Sequence, residues 1–230
     1  MNFWLLFIVF FIILIVSYLI KNKLVIHFGT LFRKGFKKSK DTYGIYTFVG
    51  FQGDGKTYSC VDFIDKIRGD KKVITNVYSY FNNNKDFCIY ETNIYNIINN
   101  FKKGLYKRGT VIFYDELFTM LQKGKIDRRV LSFISQFRKR GIYFLTTAQE
   151  WLDIDITFRR RSRYVVYCNM INFLKLGPAF SINQIQDGYK IKWSKEDNEY
   201  IAPIIKTTIK KCSKALADSY DTLEVIDDLD

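Results

Sequence analysis

The sequence predicts an α/β domain built on a mainly parallel sheet, preceded by one membrane-spanning helix. Three observations predict it. Short apolar runs rich in β-branched and aromatic residues alternate with segments of helical periodicity, the pattern of parallel strands covered by helices. The first of these runs feeds a glycine-rich stretch, VGFQGDGKT at 49–57, and a helical pattern leaves that stretch at Lys56. The chain also begins with an apolar run, Phe3 to Ile20, interrupted only by Ser17 and Tyr18 near its end.

At 1.5 Å per helical residue, that first run just crosses a hydrocarbon layer of about 30 Å. Its start is uncharged, its apolar core is long, and no A-x-A cleavage pattern follows, so it reads as an uncleaved anchor over 1–20 rather than a signal peptide. Lys21, Lys23, Arg33, Lys34, Lys37, Lys38 and Lys40 all follow it, which makes 21–42 a basic juxtamembrane connector. By the positive-inside rule the N-terminus is then outside and the rest is in the cytoplasm, at the inner face of a cytoplasmic membrane.

A core is expected over 43–170. YGIYTFV (43–49) reads as a buried strand. From Lys56 onward Cys60, Phe63, Ile64 and Ile67 share one helical face, with Gly69 as the stop. VITNV (73–77) is a second strand, a short helix is expected around ETNIYNIINNF, and TVIFYDE (110–116) is a third strand ending in two acids. One helix over 127–140 carries Val130, Phe133, Ile134 and Phe137 as its stripe and ends in RKRG, basic residues before glycine. IYFLTTAQ (142–149) and RYVVYC (163–168) are the fourth and fifth strands. Residues 171–216 extend the core with a hairpin around Gly188, and 217–230, with six acids and no base, read as a loose acidic tail.

Composition excludes some classes. The 230 residues carry a net charge of +13, compatible with nucleic acid. A Lys-, Asn- and Ile-rich low-GC sequence reaches such a charge without selection for DNA, and the basic run beside the anchor is equally suited to anionic lipid. The four cysteines are scattered with no C-x-x-C pair, and the one histidine is His27, so neither a zinc site nor a disulfide framework has support.

The stretch after the first strand satisfies G-x-x-x-x-G-K-[ST], with Gly50, Gly55, Lys56 and Thr57 in the required places. Such a loop turns successive amides inward around phosphate oxygens, glycines permit the close approach, and the following helix adds its positive end. Gly50, Gly53, Asp54, Gly55, Lys56 and Thr57 are therefore the candidate nucleotide-binding residues. Lys56 is placed to reach the β- and γ-phosphates of ATP, and Thr57 to hold Mg²⁺. Asp54 is awkward, since a carboxylate aimed at a triphosphate repels it; it must point outward, or the loop holds nucleotide less tightly. Asp115, ending an apolar strand, is the candidate second metal residue. Glu116 is the candidate base for the attacking water. Gln149, at the end of the fourth strand, is the candidate γ-phosphate sensor. FRRRSR (158–163) offers Arg159 or Arg160 as a cation reaching a neighbouring subunit's nucleotide, or alternatively a phosphate-backbone contact.

Taken together, GFQGDGKT, VIFYDE and FRKRGIYFLTTAQEW with DITFRRRSRY resemble the FtsK–HerA superfamily of DNA-pumping ATPases. Within it the chain looks most like the zonula occludens toxin-like, or gene I morphogenesis, proteins of filamentous phages. Arg138, Gly141, Gln149 and Arg159 fit that family's pattern over roughly 43–170, while Lys139 stands where the family often has histidine. The family also usually carries its span after the ATPase domain, not before it. The resemblance implies a RecA-like P-loop NTPase core, a homo-oligomeric ring, and ATP-driven extrusion of phage DNA at a membrane alongside other phage assembly proteins. Two alternatives stay open: a packaging or conjugative DNA translocase, and a nucleotide-gated membrane scaffold without turnover.

Overall fold

The computed structural model describes residues 3–21, 42–117, 127–172, 178–194 and 199–221, and divides into a unit before Thr42 and a unit from Thr42 onward. The first unit contains helix α1 (Phe3–Lys21), apolar on every face and closed by its single lysine. Its described side chains are Trp4 and residues 7–17, all exposed, and among the described residues no helix is long and apolar enough to cross a membrane. The basic connector falls almost wholly outside the described residues.

The second unit is an eight-stranded sheet in the order β10-β7-β6-β1-β5-β4-β2-β3. Its strands are β1 (Gly44–Val49), β2 (Val73–Thr75), β3 (Cys88–Tyr90), β4 (Val111–Tyr114), β5 (Tyr143–Ala148), β6 (Ser162–Asn172), β7 (Ala179–Asp187) and β10 (Ile204–Lys211). From β6 to β3 every pairing is parallel, whereas β7 and β10 are added antiparallel at one edge. Two short strands, β8 (Lys192–Ser194) and β9 (Glu199–Ile201), pair only with each other.

The unbroken apolar runs of β1, β4 and β5 follow from burial on both faces. Ile45, Val49, Ile112, Tyr114, Phe144 and Ala148 point into one cluster, with residues of α4 (Ile94–Lys102), α5 (Arg128–Ile134), α6 (Phe137–Arg140) and α7 (Ile156–Arg159). The alternate residues Tyr46, Phe48, Val111, Phe113, Tyr143 and Leu145 point into the other, against α2 (Lys56–Ile67) and α3 (Tyr78–Asn83). Phe144 is fully buried and stacks on Phe137 at a ring separation of 4.9 Å. Phe144→Ala is expected to cost about 3–5 kcal/mol of stability, read as a lowered denaturation midpoint in urea.

Several elements differ from the sequence reading, each for a local reason. The helix expected over 127–140 is two helices, broken at Ser135–Gln136, where Ser135 Oγ donates back to the Leu131 carbonyl and accepts from Arg161. Gly141 does close the second one in the left-handed region, at φ 67°. In the Asn-rich stretch after β2, α3 and β3 form as well as the expected α4. Gly188 is not the tip of a tight hairpin. It opens a 3-10 turn packed so closely on the Ser162 carbonyl that no side chain fits, and the chain returns along β7 only at β10. The segment expected to be loose from residue 217 is packed as far as Asp221, with Tyr220 buried; 222–230 lie outside the described residues. All four cysteines are free thiols.

Because the central strands are parallel and in register, their C-terminal ends meet along one edge: Val49 lies beside Ala148, and Tyr114 beside Thr146. The strand that leads into Asp115 and Glu116 is thus separated from the loop-bearing strand by β5, after which Gln149 follows. That order brings the loop, the two acids and Gln149 to one edge of a mainly parallel sheet.

Candidate nucleotide and metal site

The loop leaves β1 through Gly50, whose amide extends the ladder to the Ala148 carbonyl. A Cβ on Gly50 would meet the Cys168 carbonyl oxygen at 2.8 Å, so the loop lies flush against β6 only because that atom is missing. Gly53 and Gly55 sit at φ 89° and 73°, the left-handed region that glycine enters without strain. Helix α2 then starts at Lys56, with its first bond from the Ser59 amide to the Gly55 carbonyl. Gly50→Ala is expected to push the loop off β6 and to weaken nucleotide binding at least about tenfold, measurable by titration with a fluorescent ATP analogue.

The Asp54 carboxylate folds back on its own loop, where Oδ2 accepts from the Phe51 amide at 2.7 Å. The carboxylate therefore caps the turn, and Asp54 is not among the residues lining the cavity beside the loop. Gly50 is likewise behind the cavity wall, while Gly53, Gly55, Lys56 and Thr57 line it. Lys56 Nζ donates to the Phe51 carbonyl at 3.0 Å. The cavity measures about 640 Å³ and also meets Asp115, Glu116, Thr147 and Gln149. Such a volume is within the range of small-molecule and cofactor sites.

Thr57 Oγ1 donates to Asp115 Oδ2 at 3.1 Å, joining the loop helix to the end of β4. Thr147 donates to the other carboxylate oxygen and accepts from the Glu116 amide at 3.0 Å. Asn76 holds the same turn from the other side: its Oδ1 accepts from the Asp115 amide at 2.8 Å and its Nδ2 donates to the Asp115 carbonyl at 3.0 Å. Burial pushes the Asp115 carboxyl above the ordinary carboxylate range and the charge of Glu116 adds to this, while hydrogen bonds from Thr147 and Thr57 and the charge of Lys56 pull it back. Glu116 itself is exposed and has φ 50°, the one non-glycine residue at positive φ among those described. Such a conformation costs about 1–2 kcal/mol and is typical of sites where side-chain direction matters more than stability.

These residues fit Mg²⁺. A hydroxyl and a carboxylate already in contact, beside a phosphate loop, form the donor set that magnesium uses together with substrate phosphates. A cation there would offset the desolvation that Asp115 suffers. Among the described residues no three His, Cys, Asp or Glu side chains cluster to hold a metal by themselves, so the phosphates would complete the shell.

Gln149 reaches the cavity, as its place at the end of β5 suggests. Thr146, one residue before Thr147, faces the opposite side and is buried with no hydrogen-bond partner for its hydroxyl. Arg159 is elsewhere. It ends α7, just before Ser162 pairs with Ile45 at the start of β1, so the structure places it at the other end of the sheet from the loop. Arg160, the other candidate, lines a small cavity with Arg138, Arg161 and Gly44 at that same end. Sequence reasoning missed Met170, Tyr220 and Asp221, which line the cavity, and Asn76, which holds the Asp115 backbone. An Asn in an Asn-rich stretch and a Tyr in an acidic one give no signal by spacing.

No known protein family and no curated protein matches the chain. Solved structures are similar to it at low identity. The N-terminal domain of zonular occludens toxin from Neisseria meningitidis is 17% identical, with a TM-score of 0.49 over 77% of this chain and 98% of that one. The genome packaging NTPase B204 from Sulfolobus turreted icosahedral virus 2, in complex with ATP-gammaS, is 12% identical, with a TM-score of 0.46 over 74% and 97%. The flagellar accessory protein FlaH from Methanocaldococcus jannaschii is 13% identical, with a TM-score of 0.42 over 73% and 89%.

Proposed function

We propose that this chain is a membrane-anchored, magnesium-dependent ATPase that couples hydrolysis to the movement of DNA, as in extrusion during filamentous phage assembly. The observation that carries the ATPase reading is the Thr57–Asp115 hydrogen bond at 3.1 Å, which joins a phosphate loop to an acid from the second strand over. In this reading the amides of Gly53 and Gly55 and the Lys56 ammonium hold the phosphates. Thr57 and Asp115 would hold Mg²⁺, which when bound would neutralise phosphate charge. Glu116 orients the attacking water and takes its proton, and Gln149 contacts the γ-phosphate. Arg159 acts from a neighbouring subunit of a ring, since its own chain keeps it away from its own loop.

The anchor reading rests on the apolar run Phe3–Ile20 and the cations that follow it in sequence. A motor fixed at a membrane is not carried along its own track, so hydrolysis does work on the polymer. The test is phosphate release by the full chain in detergent, with and without single-stranded DNA. The expected result is Mg²⁺-dependent turnover stimulated by DNA. Turnover without stimulation would remove the motor, and no turnover would leave the nucleotide-gated scaffold.

A further inference from the structure

After β10 the chain does not leave the domain. Residues 213–221 cross α2 and finish against α3. The Ser213 amide donates to the Tyr58 hydroxyl at 2.8 Å, Asn83 Nδ2 donates to the Ser219 carbonyl at 3.2 Å, and the Asp221 amide donates to Ser79 Oγ at 2.8 Å. Between these ties helix α8 (Lys214–Ala217) packs on α2. Tyr220 is 7% exposed, in one cluster with Tyr58, Val77 and Tyr80. The arm also faces the nucleotide cavity, which Ala217, Tyr220 and Asp221 line together with Val77 and Asp115.

We propose that this arm is a working part of the nucleotide site, with Tyr220 a positioning residue that closes its metal and terminal-phosphate end; this rests on the ATPase reading above. Tyr220 and Asp115 lean on the same short stretch of chain. Asn76 holds the Asp115 backbone by two hydrogen bonds. The next residue, Val77, shares a buried cluster and the cavity lining with Tyr220 and precedes α3, whose Ser79 holds Asp221 and whose Tyr80 belongs to the same cluster. Residues 76–80 therefore cannot shift to suit a ligand on Asp115 without disturbing the arm. By reciprocity, a docked arm favours the ligand that suits the Asp115 position it fixes. That ligand is the one bearing a terminal phosphate and metal at Thr57 and Asp115, a nucleoside triphosphate rather than a diphosphate. The buried aromatic ring is suited to this task because it fills space rigidly and excludes water from the carboxylate.

The test uses the full chain and two probes with Mg²⁺, a non-hydrolysable ATP analogue and ADP. Tyr220→Ala is expected to weaken the triphosphate on the order of tenfold and ADP less than about twofold, and Tyr220→Phe to restore the difference. In the wild type, hydrogen exchange of the amides in 213–221 is expected to slow with the triphosphate and not with ADP, a readout that needs no variant. Equal losses for both nucleotides, or exchange indifferent to which is bound, would overturn the inference. Wild-type protein that binds neither probe would bring down the ATPase reading itself. Binding that Lys56→Ala removes, with the arm readouts unmoved, would sink the arm alone.

Discussion

Replacing Glu116 by glutamine is expected to leave ATP affinity near that of the wild type and to slow phosphate release by about 10²–10⁴-fold. The residue follows Asp115, lines the cavity and is held in the left-handed region at φ 50°. Its amide is tied to Thr147 Oγ1, which also donates to Asp115, so the backbone that aims Glu116 is fixed by the same hydroxyl that orients the Asp115 carboxylate. Glutamine keeps the shape and the backbone bond and loses only the ability to take a proton. Single-turnover phosphate release beside equilibrium binding separates the two effects. Unchanged turnover would remove Glu116 from the chemistry.

Asp115→Asn is expected to move function and stability in opposite directions. Mg²⁺-dependent turnover should fall on the order of 10²–10³-fold, because the charge facing the metal and phosphates is gone. The nucleotide-free protein should become more stable near neutral pH. Burial raises the Asp115 carboxyl in the folded state, so the folded chain binds this proton more readily than the unfolded one. Stability then falls as pH rises from the ordinary aspartate value through the raised native value, and stays lower above it. Asparagine does not titrate, and it can still accept from one threonine while donating to the other. Thermal midpoints measured across pH for both proteins should show this downward contribution in the wild type and its absence in the variant.

The phosphate loop was legible because its chemistry fixes residue types at fixed spacing, and the strand that feeds it because burial on both faces leaves an apolar run. Asp115, Glu116 and Gln149 were legible from the rule that ligands gather at strand C-terminal ends, and all three line the cavity with the loop. Asn76 was not, since its role is to replace strand hydrogen bonds for the Asp115 turn, a task no spacing announces. The arm was hidden by its own composition. Residues 217–221 open the segment read as an acidic tail, and they dock through backbone groups and one ring, a contact the acidic pattern does not announce. The break at Ser135 depends on one hydroxyl turning back to its own helix and on Arg161, a long-range partner. Asp54 could be seen as a problem from sequence, but only the structure shows its carboxylate folded onto the Phe51 amide.

Equilibrium titration of the full chain with ATP, with and without Mg²⁺, tests most directly whether the loop and Asp115 form one nucleotide and metal site. Saturable binding that Mg²⁺ strengthens, that Lys56→Ala abolishes and that Thr57→Ala makes insensitive to the metal is the predicted result. Absence of binding, or binding indifferent to both substitutions, would contradict it.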